Sequence, residues 1–171
     1  MKYIASSIVL GFLSFSSIVL AHDSVFATLM GTHEIQSGQC VCKQGKCLTY
    51  PSERARLLNV TLKKGSASEQ EVYPNLIKFI VDHTDSLGNG RILWPMYTVS
   101  KSSGNDYESE IGEFRDDSYR LEKKFGDESR IFTLDLKKVG PKVTGLWIDR
   151  FISFDQSRVQ TVECSFTTYV D

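Results

Sequence analysis

The spacing of four cysteines constrains the fold of this chain more than any other feature. Cys40, Cys42 and Cys47 lie close together, whereas Cys164 lies far along the chain. A bridge between Cys40 and Cys42 is disfavoured, because two residues of an extended chain with one residue between them are badly placed for disulfide geometry. One of these two cysteines should therefore bond Cys47 and the other Cys164. Whichever cysteine forms it, the long bridge ties the first strand region to the last strand.

The preferred pairing is Cys42–Cys47 together with Cys40–Cys164. Residues 42–47 have the sequence of a hairpin tip, with Gly45 in the turn. In the loop-entropy model, a bridge that closes about six residues contributes about 2 kcal/mol, and one that closes about 125 residues contributes about 5 kcal/mol. The long bridge is therefore expected to be the structural one.

The first residues have the pattern of a secretory signal peptide. Lys2 is followed by an uncharged, largely apolar stretch, residues 3–20, and Ala21 offers a small side chain at the cleavage position. The alternative is an uncleaved membrane anchor, but five serines dilute the stretch and no basic cluster follows it. We predict a signal peptide at residues 1–21 and a secreted or periplasmic domain at residues 22–171, without stable membrane insertion after cleavage.

Export also bears on the chemistry of the cysteines. The Cys-x-Cys pair with Cys47 could offer three thiolates to zinc or copper(I), and Cys-x-Cys could be a redox site. However, no histidine is close in sequence, and the usual redox signature is Cys-x-x-Cys before a helix. Because exported proteins fold in oxidising surroundings, we predict structural disulfides, no metal and no cofactor.

Alternation of apolar and polar residues, interrupted by turn residues, predicts an all-β domain. Pro95 cannot donate a ladder hydrogen bond, so its strand should lie at a sheet edge or carry a bulge. Cys164 shares the apolar face of the last strand and should point into the core. Asn75–His83 fits a strand or a short helix, and Asp117–Phe125 fits a short capped helix. The clearest predicted strands cover residues 56–63, 92–99, 132–137, 143–152 and 162–167.

Short strands joined by tight turns predict an antiparallel meander. Because the long disulfide would tie the first strand region to the last, we expect the sheet to close into a small lipocalin-like β-barrel, with a β-sandwich as the alternative. This architecture is similar to that of lipocalin-like and avidin-like proteins. Gly31-Thr32-His33 stands where lipocalins carry Gly-x-Trp, but the tryptophan is absent and no family is assigned on it.

The charge balance and the lack of common motifs limit the classes of function that the sequence supports. The chain has 20 Lys and Arg against 21 Asp and Glu, which gives no electrostatic case for nucleic acid. No common catalytic or phosphate-binding motif occurs, so an enzyme is the less favoured class. His83 lies between two aspartates, but we interpret it as a polar strand end, and His33 as an ordinary strand residue. The acidic stretch over residues 106–117 is interpreted as a solvated strand face.

Aromatic residues on the predicted strands are the candidate ligand-binding residues. Trp94, Tyr97, Phe132 and Trp147 could line an apolar pocket if they face inward, although they could equally fill the core. The first hypothesis is therefore a non-enzymatic exported domain that binds a small apolar ligand or another exported protein. The alternatives are a structural or interaction protein of the cell envelope without a small ligand, and a hydrolase with an unrecognised site.

Overall fold

The fold, seen in a computed structural model, is a single antiparallel β-sheet with two short helices. The structure describes residues 24–45, 55–85, 88–104, 107–153, 155 and 157–170. The helices are α1 (Val25–Thr28) and α2 (Ala67–Val72). The strands are β1 (Gly31–Gln44), β2 (Arg56–Lys64), β3 (Ile77–Asp85), β4 (Gly88–Met96), β5 (Val99–Ser102), β6 (Glu108–Arg115), β7 (Ser118–Phe125), β8 (Glu128–Val139), β9 (Lys142–Ile152) and β10 (Val159–Tyr169).

The ten strands are ordered β4-β3-β2-β1-β10-β9-β8-β7-β6-β5. Long strand β1 lies in the middle and pairs with both of its neighbours. Its first part, Gly31 to Glu34, pairs with β2, and Ile35 to Gln44 pairs with β10. The predicted all-β antiparallel meander is therefore confirmed, and its strands form one sheet rather than the two sheets of the sandwich alternative.

The sheet curls strongly, because its two end strands are neighbours in sequence. Only Tyr97 and Thr98 separate β4 from β5, although these strands stand at opposite ends of the sheet order. Side chains also meet across the curl: Trp94 of β4 stacks on Phe132 of β8, with ring centroids 4.5 Å apart. Within the described residues the ladders do not join β4 to β5, so the predicted closed barrel is not shown.

The core lies on the inner face of the curled sheet. Aromatic rings from distant strands meet there, with Phe79 of β3 against Trp147 of β9 at 5.5 Å between centroids. The Cys40–Cys164 disulfide joins directly opposed residues of β1 and β10, and both sulfur-bearing side chains are buried. The predicted long bridge is thus confirmed, as is the inward direction of Cys164. Cys42 is also disulfide-bonded.

Pro95 lies in an end strand, β4, which confirms the predicted sheet edge, although the predicted strand over residues 92–99 ends at Met96. In the ambiguous segment Asn75–His83, the residues from Ile77 onward belong to strand β3, so the strand alternative is confirmed there. The predicted helix over Asp117–Phe125 is wrong: this segment is strand β7, and its alternating residues Tyr119 and Leu121 are buried. The strand is more stable than the helix here, because the alternating apolar side chains are buried together only when one face of a strand packs on the core.

Helix α2 was not predicted, but its start carries a readable signal. Ser66 and Glu69 form a capping box, in which each side chain bonds the backbone N–H of the other residue. No helix in the part of the chain that the structure describes is long and apolar enough to span a membrane. The predicted signal peptide and Cys47 lie outside the described residues.

Candidate functional site

A cavity of about 590 Å³ opens where strands β5 to β8 begin or end, and most of the side chains that line it belong to the inner face of the sheet. We call it the inner-face cavity. Its lining is charged and rich in hydroxyl groups, in contrast to the aromatic core behind it. The lining residues are Lys101, Ser102, Ser103, Glu108, Ser109, Glu110, Lys123, Lys124, Phe125, Glu128, Ser129 and Arg130.

Strand register places four charged residues in one row across this cavity. Lys101 is paired with Glu110, Glu110 with Lys123, and Lys123 with Arg130. Residues paired in an antiparallel ladder share a face of the sheet, so all four side chains lie on the same face. Two positions farther into each strand, the corresponding row contains buried Leu121 and Phe132, and the charged row therefore borders the core.

Tyr97 joins the charged row through two hydrogen bonds. Its hydroxyl donates to Oε1 of Glu110, and Nζ of Lys123 donates to the same hydroxyl over 2.9 Å. Lys123 also forms an ion pair with Glu110, at 2.7 Å between Nζ and Oε1. Tyr119 holds the backbone of Tyr97 in place, since its buried hydroxyl accepts from the Tyr97 N–H and donates to the Tyr97 carbonyl.

The charges of this cluster stabilise one another. Burial raises the pKa of Tyr97, and the hydrogen bond to Glu110 raises it further. Partial burial opposes the ionisation of Glu110, but hydrogen bonds from Lys123 and Tyr97 outweigh it and lower the pKa of Glu110. Burial likewise opposes the charge on Lys123, but Glu110 and Tyr97 raise the pKa of Lys123 overall. At neutral pH the cluster therefore contains a carboxylate, an ammonium group and a neutral phenol.

Arg130 connects the cavity to the aromatic core. Its guanidinium carbon lies 4.2 Å from the ring centroid of Trp94. Nε and Nη2 of Arg130 donate to the two carboxylate oxygens of Asp149, over 3.1 and 2.9 Å. Asp149 is buried on β9, whereas Arg130 is half-exposed. A ring face and a bidentate carboxylate together fix the guanidinium plane at the inner end of the cavity.

The four candidate pocket residues are buried, and none of them is among the described residues that line the inner-face cavity. Trp94 contacts Arg130, and Tyr97 contacts Glu110 and Lys123, so these two residues are immediate neighbours of the cavity lining. Phe132 lies under Trp94. Trp147 is deeper, packed between Phe79 and Phe166.

Sequence reasoning missed most of the cavity lining. Glu108 and Glu110, interpreted as part of a solvated strand face, line the inner-face cavity. His83 lies two residues before the end of β3, and it is buried with its ring against Gly90. His33 pairs with Val60 on β2, as expected for a strand residue. Among the described residues, no three potential metal ligands come together.

A second cavity of about 590 Å³ lies on the outer face of β1, β10, β9 and β8. Gly38 and Gly145 contribute to it, and most of its side-chain lining is neutral, as at Ser165 and Thr167. This outer groove lacks the row of four charged residues that crosses the inner-face cavity. We therefore take the inner-face cavity as the candidate functional site.

Neither a scan against models of known protein families nor a search of the curated proteins finds a match for this chain.

Proposed function

We propose that this chain is an exported, non-enzymatic binding protein whose curled sheet closes into a small β-barrel and holds a small amphipathic ligand in the inner-face cavity. One observation carries the proposal: a cavity of about 590 Å³ combines inward-facing charges with the exposed ring of Phe125, and Trp94 lies behind the lining residue Arg130. Binding sites of this kind use apolar surface for affinity and a few polar groups for orientation.

Two features support the barrel and export parts of the proposal. Strands β4 and β5 are the two end strands of the sheet, and only Tyr97 and Thr98 connect them. The two ends of the sheet are therefore kept close together in space. The Cys40–Cys164 disulfide is of the kind that persists in oxidising compartments, and it agrees with the signal-peptide pattern in the sequence.

The arrangement of the cavity suggests how the ligand would lie. An ionised group of the ligand would contact the charged row that contains Lys101, Lys123 and Arg130. Its apolar part would contact the exposed ring of Phe125 or reach toward Trp94 behind Arg130. A purely apolar ligand would offer no counter-charge to Lys101, which makes no ion pair within the described residues, so we favour an amphipathic ligand.

A thermal-shift screen of carboxylates, amines, amino acids, dipeptides and fatty acids tests the proposal. A ligand present at 100 times its Kd should stabilise the protein by about 2.7 kcal/mol through mass action. Binding should also change tryptophan emission, and Trp94→Phe should abolish that change because Trp94 contacts the lining residue Arg130.

A matched pair of variants locates the binding. Lys101→Gln removes a cavity charge that makes no ion pair within the described residues, so it should weaken binding without unfolding the protein. Lys137→Gln, on the outer face of β8, should leave binding unchanged. If no compound raises Tm, or if Lys101→Gln and Lys137→Gln bind every ligand equally well, the inner-face cavity is not the binding site.

A further inference from the structure

On the inner face of the sheet, the charges that line the inner-face cavity are sorted by depth. Lys101, Lys123 and Arg130 belong to the inner row, where Glu110 is the only carboxylate. The next row outward pairs Glu108 with Phe125 and Phe125 with Glu128, at the ends of β6, β7 and β8. The remaining charged lining residue, Lys124, lies between the two rows in sequence and belongs to the opposite face of β7. Residues two apart on a strand are about 7 Å apart, so a mainly basic row lies about 7 Å behind an acidic rim.

Ion pairs inside the protein neutralise only part of these charges. Lys123 is paired with Glu110, and Arg130 with Asp149. Within the described residues, Lys101 in the inner row makes no ion pair, and neither do Glu108 and Glu128 at the rim. The cavity therefore presents an ammonium group without an ion pair at its inner end, where Glu110 is its nearest counter-charge along the row, and two carboxylates without ion pairs at its mouth.

Phe125, which lies in the outer row between Glu108 and Glu128, packs against a second aromatic residue, Tyr107. Phe125 is 56% exposed and Tyr107 is 46% exposed, and their ring centroids lie 5.3 Å apart in an edge-to-face arrangement. Tyr107 is held at the rim, since its carbonyl accepts from the N–H of Gly126 in the turn after β7. Exposed aromatic rings next to polar groups are typical of surfaces that bind an apolar group.

From this arrangement we infer that the ligand of the inner-face cavity is a short zwitterionic peptide, about two residues long, with an aromatic side chain. Its carboxylate lies against Lys101, its ammonium group against Glu108 and Glu128, and its ring against Phe125 and Tyr107. This inference rests on the proposed function and adds the chemical class of the ligand.

The spacing of the charges selects the length. In a free α-amino acid both charged groups are attached to one carbon atom, so they cannot reach two rows about 7 Å apart at once. Each residue of an extended peptide spans about 3.3–3.6 Å, and two residues therefore cover this distance. A fatty acid or a simple amine supplies only one of the two charges.

Calorimetric titration of the purified protein with the dipeptide Ala-Phe tests the inference, with N-acetyl-Ala-Phe, Ala-Phe amide and free phenylalanine as comparisons. Ala-Phe should bind, and each of the other three compounds should bind about tenfold or more weakly, because each loses one charged contact or cannot make both. Equal affinity for Ala-Phe and its two blocked forms would overturn the inference.

Variants assign each end of the peptide to its row. Lys101→Gln should weaken binding of Ala-Phe but not of Ala-Phe amide, which has no carboxylate. Glu128→Gln should weaken binding of Ala-Phe but not of N-acetyl-Ala-Phe, which has no ammonium group. Asp135→Asn, on the outer face of β8, is the matched control and should change neither affinity.

The same titrations separate this inference from the proposed function. If Ala-Phe fails to bind while a singly charged compound raises Tm in a way that depends on Lys101, the zwitterion assignment is wrong and the binding function stands. If no compound of either kind binds, both are wrong.

Discussion

Arg130 and Asp149 form an ion pair between adjacent strands in which the arginine side chain is 44% exposed and the aspartate side chain only 6% exposed. The burial is asymmetric, so the two residues have different roles. Asp149 depends on Arg130 for compensation of its charge, whereas Arg130 also has the Trp94 ring beside it. Arg130→Met should therefore leave a buried carboxylate without its partner and lower the free energy of unfolding by about 3 kcal/mol.

The matched test of this pair is the double variant. Arg130→Met with Asp149→Leu removes both charges, so it should recover most of the stability lost by Arg130→Met alone. Urea denaturation of the two single variants and the double variant measures the coupling. Additive losses would show that the ion pair contributes nothing beyond the packing of its two side chains.

The disulfide between Cys40 and Cys164 should be a major source of stability. It links residues 124 positions apart, and the loop-entropy model assigns about 5 kcal/mol to a loop of that length. The variant Cys40→Ala with Cys164→Ala should lose about that much in urea denaturation. The control is Cys42→Ala with Cys47→Ala, for which the predicted short loop contributes about 2 kcal/mol. A larger loss in the control would reverse the ranking of the two bridges.

Gly145 is needed for the packing of the inner face. A Cβ atom at this position would lie 2.1 Å from the ring of Phe166, so Gly145→Ala forces the ring or the strand to move. The expected loss is about 1–3 kcal/mol in the free energy of unfolding, as for other overpacked cores. Gly104→Ala is the control, because no atom lies within 4 Å of the added carbon. Equal stability of both variants would show that Phe166 relaxes without cost.

The sequence predicts the fold class and the long disulfide better than it predicts the site. Apolar positions such as Leu134 and Leu136 repeat with period two, and Pro95 marks an edge, so strands and one sheet end are readable locally. The inner-face cavity depends instead on register across strands. Its ion pair of Glu110 with Lys123 becomes visible only once β6 and β7 form a hairpin.

That hairpin was missed for a physical reason. Its turn consists of Asp116 and Asp117, between the paired residues Arg115 and Ser118, and it contains no glycine. Asp116 adopts a positive φ of 44°, which aspartate tolerates better than most residues, but the same Asp-rich stretch also fits a helix start. With Asp117–Phe125 interpreted as a helix, Lys123 could not be placed opposite Glu110.

Glu110 should make the stability of the protein depend on pH in the acid range. Hydrogen bonds from Lys123 and Tyr97 lower its pKa below the ordinary value of 4.5, although partial burial opposes this shift. As the pH falls, the unfolded chain therefore binds this proton before the folded chain does. The stabilisation from Glu110 is fully present above about pH 4.5 and is lost as the pH falls through the lower pKa of the folded state.

Glu110→Gln cannot ionise, so its deficit in unfolding free energy relative to the natural protein should be largest at neutral pH and should shrink in acid. Urea denaturation at a series of pH values measures this difference, and subtracting the two curves removes the effect of the other carboxylates. Asp135→Asn, at a residue that makes no ion pair within the described residues, is the control for the loss of one carboxylate from the outer face of the sheet. A Glu110→Gln deficit that stays constant from neutral to acid pH would mean that Lys123 and Tyr97 do not stabilise the carboxylate of Glu110.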